Sequence, residues 1–313
     1  MANSTARPSE LWVILMVLAG LAVTEGALTV LRPQLSGDIR HLDEADDIVR
    51  EVVQGEGLRV VVGGNSLIGE GIDGALLEQS LEEATGEEVT LGVIRPDGTG
   101  PLEWDYLYRR IMFNVEELPD VLVLGFGPGH MRDRRIRTQL LRLAVHHVDR
   151  SDLRRFFTFD GLDFEERATA VLASSSVTFG LRDRISARVL ATLIPGYRQR
   201  ALLLLSAAPS PSNPQNVGSY RHLEALLDEA AQYGVPVVMM AMPAQTPYDV
   251  EAPVVALSGR RGVELVDVNP IPALLGPSRY FDDQHLDAEG RQLFTTSVAP
   301  FLAEGISRAI EGR

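Results

Sequence analysis

LRVVVGGNSLIGEG, residues 58–71, is the stretch on which the reading of this chain turns. Residues 58–63 form a short, β-branched, strongly apolar run. Such a run fits a strand buried on both faces of a parallel sheet. Gly63 and Gly64 permit a tight turn, and Ser66 follows at the start of the next helix. A serine in that position presents its hydroxyl beyond the strand end, beside backbone N–H groups that have no intrahelical partner and could stabilise an oxyanion.

Four further runs of the same kind follow: 89–94 (VTLGVI), 121–126 (VLVLGF), 235–242 (VPVVMMAM) and 263–268 (VELVDV). Helical stretches separate them at 72–85, 102–117, 219–233 and 287–310. Alternating β and α elements predict a three-layer, doubly wound α/β fold with a sheet of about five parallel strands. The rhythm breaks between 127 and 218, where 131–149 and 163–194 look helical and PSPSNPQNVG (209–218) reads as a loop. This interval is expected to be a helical insertion at the carboxyl edge of the sheet, either shaping substrate access or serving as a structural subdomain. The α/β domain is assigned to 57–313.

A serine hydroxyl is a weak nucleophile without a base. The sequence offers one in YFDDQHLDAEGRQLF (280–294), between the last strand and the terminal helix. Asp282 precedes His285 by three residues. On a turn, that spacing lets the carboxylate hold one imidazole nitrogen while the other faces Ser66. Asp283 competes for the same role, and spacing favours Asp282. Each piece is common alone; the order of Ser after the first strand and Asp-x-x-His after the last makes the set.

These residues resemble the SGNH (GDSL-type) hydrolase superfamily, and especially its membrane-anchored members linked to O-acylation of cell-surface polysaccharides. The first block corresponds to Gly64-Asn65-Ser66. The last corresponds to Asp282-x-x-His285, followed by Leu286 and Gly290. The middle stretch, RPDGTGPLEWDYLYRRI (95–111) leading to LPDVLVLGFGPGH (118–130), has the family's glycine-bearing loop, helix and third-block strand. The likeness covers about 57–130 and 235–305. It implies a flavodoxin-like sheet, a serine esterase or O-acyltransferase, and catalytic Ser66, Asp282 and His285. It also implies an oxyanion hole from the N–H groups of Ser66 and Gly100, Gly100 being preferred to Gly98. Two departures stand out. Asn65 occupies the place of the usual Asp, and the third-block Asn donor is missing, leaving Gly127 N–H or His130 to serve. Asn65 and His130 are candidate pocket residues; Trp104 and Tyr106 either line an acyl pocket or pack on the sheet. The implied partners are an acyl ester, a polysaccharide acceptor and a multi-pass membrane acyltransferase. A catalytically weak binding or scaffold subunit is the rival reading, favoured by the missing Asn.

The amino-terminal segment 11–31, LWVILMVLAGLAVTEGALTVL, follows a short polar tail (1–10). As a helix it would span about 31 Å, close to a bilayer core. It reads as a transmembrane signal anchor with the domain extracytoplasmic, against a cleaved signal peptide or a buried helix. Glu25 is its costly residue, expected near the interface or against a partner helix. Residues 32–56 are acidic and helical in pattern, and read as a stalk.

Composition narrows the classes. Forty-three acidic residues against 29 basic ones give a net charge of −14, which argues against nucleic acid as a partner. All the basic residues are Arg, so a Lys-dependent phosphate loop is excluded. Cys is absent, which removes disulfides, thiolate metal sites and a Cys nucleophile. No metal and no cofactor are expected: GGNSLIGEG lacks dinucleotide spacing, and His41, His146, His147 and His222 read as structural.

Overall fold

The computed structural model of the chain describes residues 8–35, 37–113, 117–134, 136–197 and 218–313. Five parallel strands form one sheet in the order β2-β1-β3-β4-β5: β1 (Leu58–Gly63), β2 (Val89–Ile94), β3 (Val121–Phe126), β4 (Val237–Ala241) and β5 (Val263–Val266). Each coincides with, or falls inside, one of the five apolar runs. The sequence order reverses between β1 and β3, so a crevice opens at their carboxyl ends, where open α/β sheets bind ligands.

Side-chain alternation along the strands sorts the core into two layers. Val61, Leu122, Leu124 and Met239 face helices α2 (Gly37–Val53), α5 (Pro101–Tyr108) and α11 (Arg221–Tyr233). Val60, Val62, Val123 and Met240 face α3 (Ser66–Gly71), α4 (Gly74–Thr85) and α13 (Ala288–Glu311). Both faces are thus covered, which is why the strands carry apolar residues at successive positions.

Residues 32–56 are not a stalk. Ile39, Leu42, Ala45, Val49 and Val52 form a buried stripe on α2, and Gly92 of β2 admits Ile48 and Val52 so closely that a Cβ there would lie 2.5 Å from Val52. Glu44, Asp47 and Glu51 occupy the outer face of an amphipathic helix, while Asp38 is buried against Arg142 and Arg184.

The insertion begins directly after β3. Where two helical stretches were expected, shorter pieces stand: α6 (Ile136–Arg142), continuing as a π-turn to His147; α7 (Leu153–Phe159); α8 (Phe164–Ser175); α9 (Val177–Gly180); and α10 (Arg182–Leu193). Asp163 and Ser176 cap α8 and α9 with their side chains, which divides the expected second helix. A small separate core of Leu140, Leu143, Phe156, Leu162 and Ala173 packs this unit on Leu102 and Tyr106 of α5. The loop expected at 209–218 lies, apart from Gly218, outside the described residues.

Helix α1 (Pro8–Leu31) is apolar and exposed along nearly its whole length. Its length and composition suit a membrane span or a signal sequence equally.

Candidate active site

Asn65 sets the local geometry after β1. Its Oδ1 accepts from Leu67 N at 2.9 Å and caps α3, so Ser66 is the first helical residue. Helix α3 sits tightly over the strand ends because glycines leave room for it. A Cβ on Gly125 would lie 2.1 Å from Ile68 Cδ1, and one on Gly64 2.5 Å from Ile68 Cγ1. Ile68 and Gly69 donate to the Asn65 carbonyl and Leu67 to its side chain, leaving Ser66 N–H as the first-turn donor without a partner among the described residues.

His285 arrives from the loop before α13. Tyr280 and Leu286 form an antiparallel bridge, and Phe281 N donates to His285 O at 3.0 Å. This closes a tight loop that carries Asp282 and His285 on one side. Asp282 Oδ1 accepts from the N–H groups of Gln284 and His285, both at 2.8 Å, and Oδ2 lies 2.8 Å from His285 Nδ1. His285 Nε2 is 2.9 Å from Ser66 Oγ. Residues 219 positions apart therefore form one continuous Asp–His–Ser chain of hydrogen bonds. Asp282, not Asp283, faces the ring. Burial pushes the Asp282 carboxyl up, but the Gln284 N–H and the imidazole and N–H of His285 outweigh it and hold the acid below its ordinary value.

Gly127 and His130 lie at the mouth of the same crevice. A Cβ on Gly127 would stand 2.7 Å from Leu67 Cδ1, so the glycine makes room for α3, and the His130 ring lies at ordinary contact distance, 3.5 Å. Asn65 Nδ2 donates to Thr99 O at 3.1 Å and lies 3.3 Å from His130 Nδ1. The amide orientation is fixed twice, by Leu67 N–H on the oxygen and by the Thr99 carbonyl on the nitrogen. His130 Nδ1 must then be the acceptor, which leaves the ring hydrogen on Nε2. Burial, with Arg134 and His285 nearby, pushes the imidazole down to about 4, so the neutral ring persists across the neutral range.

Gly100 departs from its expected role. Its N–H donates to Glu103 Oε2 at 3.0 Å at the start of α5 and is not aimed at an oxyanion. Trp104 does not line the site: it is wholly buried among α5's core neighbours and donates Nε1–H to Thr99 Oγ1 at 3.0 Å. Tyr106 is also buried, bonded to Asp160 and packed edge-on against Phe156. Asp267 turns back onto Asn269 N at 3.0 Å. His222 is held between Asp105 and Asp160, and His147 is fully buried. Among the described residues no group of His, Asp and Glu could hold a metal ion.

Two site residues escaped the sequence reading. Thr99 is a buried hinge pin, within hydrogen-bond distance of Gly64 O (3.1 Å) and Pro96 O (2.9 Å) while accepting from Trp104. A buried threonine in a glycine-rich turn gives no pattern to read. Phe281 stacks on His285, with ring centroids 5.5 Å apart and planes 11° apart, and is 61% exposed. Its signal was present: a large apolar residue amid the polar loop YFDDQH.

Compared with protein-family models, curated proteins and solved structures, the chain finds no match in any of the three.

Proposed function

We propose that this chain is a serine esterase or O-acyltransferase in which Ser66 attacks an acyl ester. The observation that carries this reading is the uninterrupted bond chain from Asp282 through His285 to Ser66 Oγ, at 2.8 and 2.9 Å. As Ser66 Oγ bonds to the carbonyl carbon, its proton passes to His285 Nε2, and the ionised Asp282 stabilises the resulting imidazolium. The tetrahedral intermediate collapses, the ester C–O bond breaks, and the leaving alcohol takes the proton back from His285. Water or a sugar hydroxyl then attacks the acyl-serine by the same route in reverse.

The developing oxyanion calls for preorganised donors. Ser66 N–H is one. His130 Nε2–H is the second, a neutral donor whose tautomer Asn65 enforces, standing where the SGNH resemblance leads one to look for an Asn. Gly127 contributes by its missing side chain, which admits Leu67, the residue after Ser66. Exposed Phe281 offers a flat apolar face beside the imidazole, suited to stacking against a sugar ring. This supports a carbohydrate ester or acceptor, and the SGNH likeness adds a cell-envelope polysaccharide and a multi-pass acyltransferase partner.

A second reading, a scaffold subunit with little turnover, is favoured by one observation: Gly100 N–H is committed to Glu103. A fluorophosphonate probe separates the two. The enzyme reading expects covalent labelling of Ser66 that Ser66→Ala abolishes, together with hydrolysis of p-nitrophenyl acetate. An unlabelled, folded wild-type protein would leave only the scaffold.

A further inference from the structure

The carboxylate of Glu25, on the apolar helix α1, is fully engaged by the insertion. It accepts from Ser176 Oγ at 3.0 Å, from Thr178 N at 3.1 Å and from Val177 N, the hydroxyl and N–H groups that open α9. Glu25 and Leu28 are the residues of α1 ahead of Arg32 that the rest of the chain partly covers; the others described are exposed. The cost of a carboxylate in an apolar helix is thus met inside the chain, by the insertion and not by a partner helix.

This contact fixes a depth. If α1 spans a bilayer along 11–31, Glu25 lies six residues, about 9 Å, inside the end of the span. Whatever binds Glu25 reaches the same level. The surfaces flanking α9 fit that setting. Val171 and Leu172, one turn before the end of α8, are exposed. Helix α10 has no buried residue along its length, yet carries Val189, Leu190 and Leu193, the last 72% exposed, with Ile194 just beyond. A helix with an apolar stripe and no core beneath it among the described residues needs another cover. Arg182 and Arg188 lie exposed on the same helix, as expected of cations reaching from an apolar layer toward headgroups.

We propose that α8–α10 form a foot embedded in the outer layer of the membrane, with α10 lying in lipid beside α1. The proposal rests on reading α1 as membrane-spanning. The occupant is lipid because α10 follows directly on α9, the segment that holds Glu25 of the apolar, exposed helix α1. Arg142 bonds both Asp38 at the first turn of α2 (2.6 Å) and Gly98 O in the site loop (3.3 Å), and Arg184 of α10 also bonds Asp38 at 2.6 Å. The foot is thus tied to both α2 and the loop before α5.

The lack of Cys makes the test clean. The full chain is placed in lipid nanodiscs as single-cysteine variants Leu193→Cys, Leu18→Cys and Glu87→Cys, each carrying an environment-sensitive fluorophore. Spin-labelled phospholipids are then introduced. The expected result is loss of emission at 193 comparable to that at 18, with emission at 87 retained. Emission at 193 that persists as at 87, while 18 is quenched, overturns the embedded foot and leaves the spanning helix standing. Persistent emission at all three positions removes the spanning helix and the foot with it.

Discussion

Asn65 and His130 meet side chain to side chain, 3.3 Å apart, and the amide nitrogen of the first fixes which imidazole nitrogen of the second carries hydrogen. The relationship joins two places where this chain departs from the SGNH pattern. An Asp in place of Asn65 could only accept, and would draw the hydrogen onto His130 Nδ1. In the proposed mechanism Asn65 is thus the companion that makes His130 an oxyanion donor.

Asn65→Asp should therefore lower kcat for p-nitrophenyl acetate with little change in KM. A reversed tautomer turns Nε2 into an acceptor facing an oxyanion. The loss of one such donor is worth about 10²–10³ in rate. His130→Ala should cost a similar factor, and Asn65→Asp combined with His130→Ala should cost little more than either alone. Additive losses in that double variant would rule out a shared role.

Asp282→Asn should retain fluorophosphonate labelling of Ser66 at a rate about 10³–10⁴ lower, since the amide can no longer hold the His285 tautomer or stabilise its cation. The wild-type carboxyl sits below its ordinary value, so its ionisation will not limit activity above about pH 4. Labelling kinetics across acid pH check this: an activity step above about pH 4 in the wild type that Asp282→Asn lacks would contradict it.

Gly125→Ala should damage stability and site together. The new methyl would fall 2.1 Å from Ile68 Cδ1, and α3, which carries Ser66, must move to admit it. Overpacking of this kind costs about 1–3 kcal/mol. Ile68→Val removes that Cδ1, so the double variant should recover part of both the unfolding midpoint and the labelling rate. Failure of Ile68→Val to restore either would show that the glycine is needed for another reason.

His222 offers a pH signature away from the site. Its Nδ1 lies 2.8 Å from Asp105 and its Nε2 3.0 Å from Asp160, so both nitrogens donate and the ring is charged. Burial pushes the imidazole down, but the two carboxylates outweigh it and raise it to about 9. A folded value above the unfolded one stabilises below the unfolded value and loses that contribution as pH climbs through the folded one. Stability should therefore fall between about pH 6.5 and pH 9, by up to about 3 kcal/mol. Urea unfolding of wild type and His222→Gln, measured at both ends of that window, tests the sign: the variant should be less stable at the acid end and show a flatter dependence. An equal slope in both proteins would remove His222 as its source.

The sequence by itself determined the sheet. Runs such as 58–63 and 121–126 are apolar at successive positions because both faces of a parallel strand are covered, and that signal is local. The Ser66 turn was equally legible, since Gly63 and Gly64 precede it directly in the chain; the cap that Asn65 supplies came only with the structure. What only the tertiary structure decided were contacts between distant segments. Nothing local says that Gly100 N–H is spent on Glu103, that Trp104 faces inward to Thr99, or that Asn65 fixes the tautomer of His130. The acidic run in α2 hid a buried stripe, because charge content reads as solvation until the packing partner is known. Glu25 is the sharpest case. In the sequence it is a flaw in an apolar helix; in the fold it is the point where that helix is pinned to the insertion, since hydrogen-bond donors some 150 residues away in the chain remove the cost of its charge.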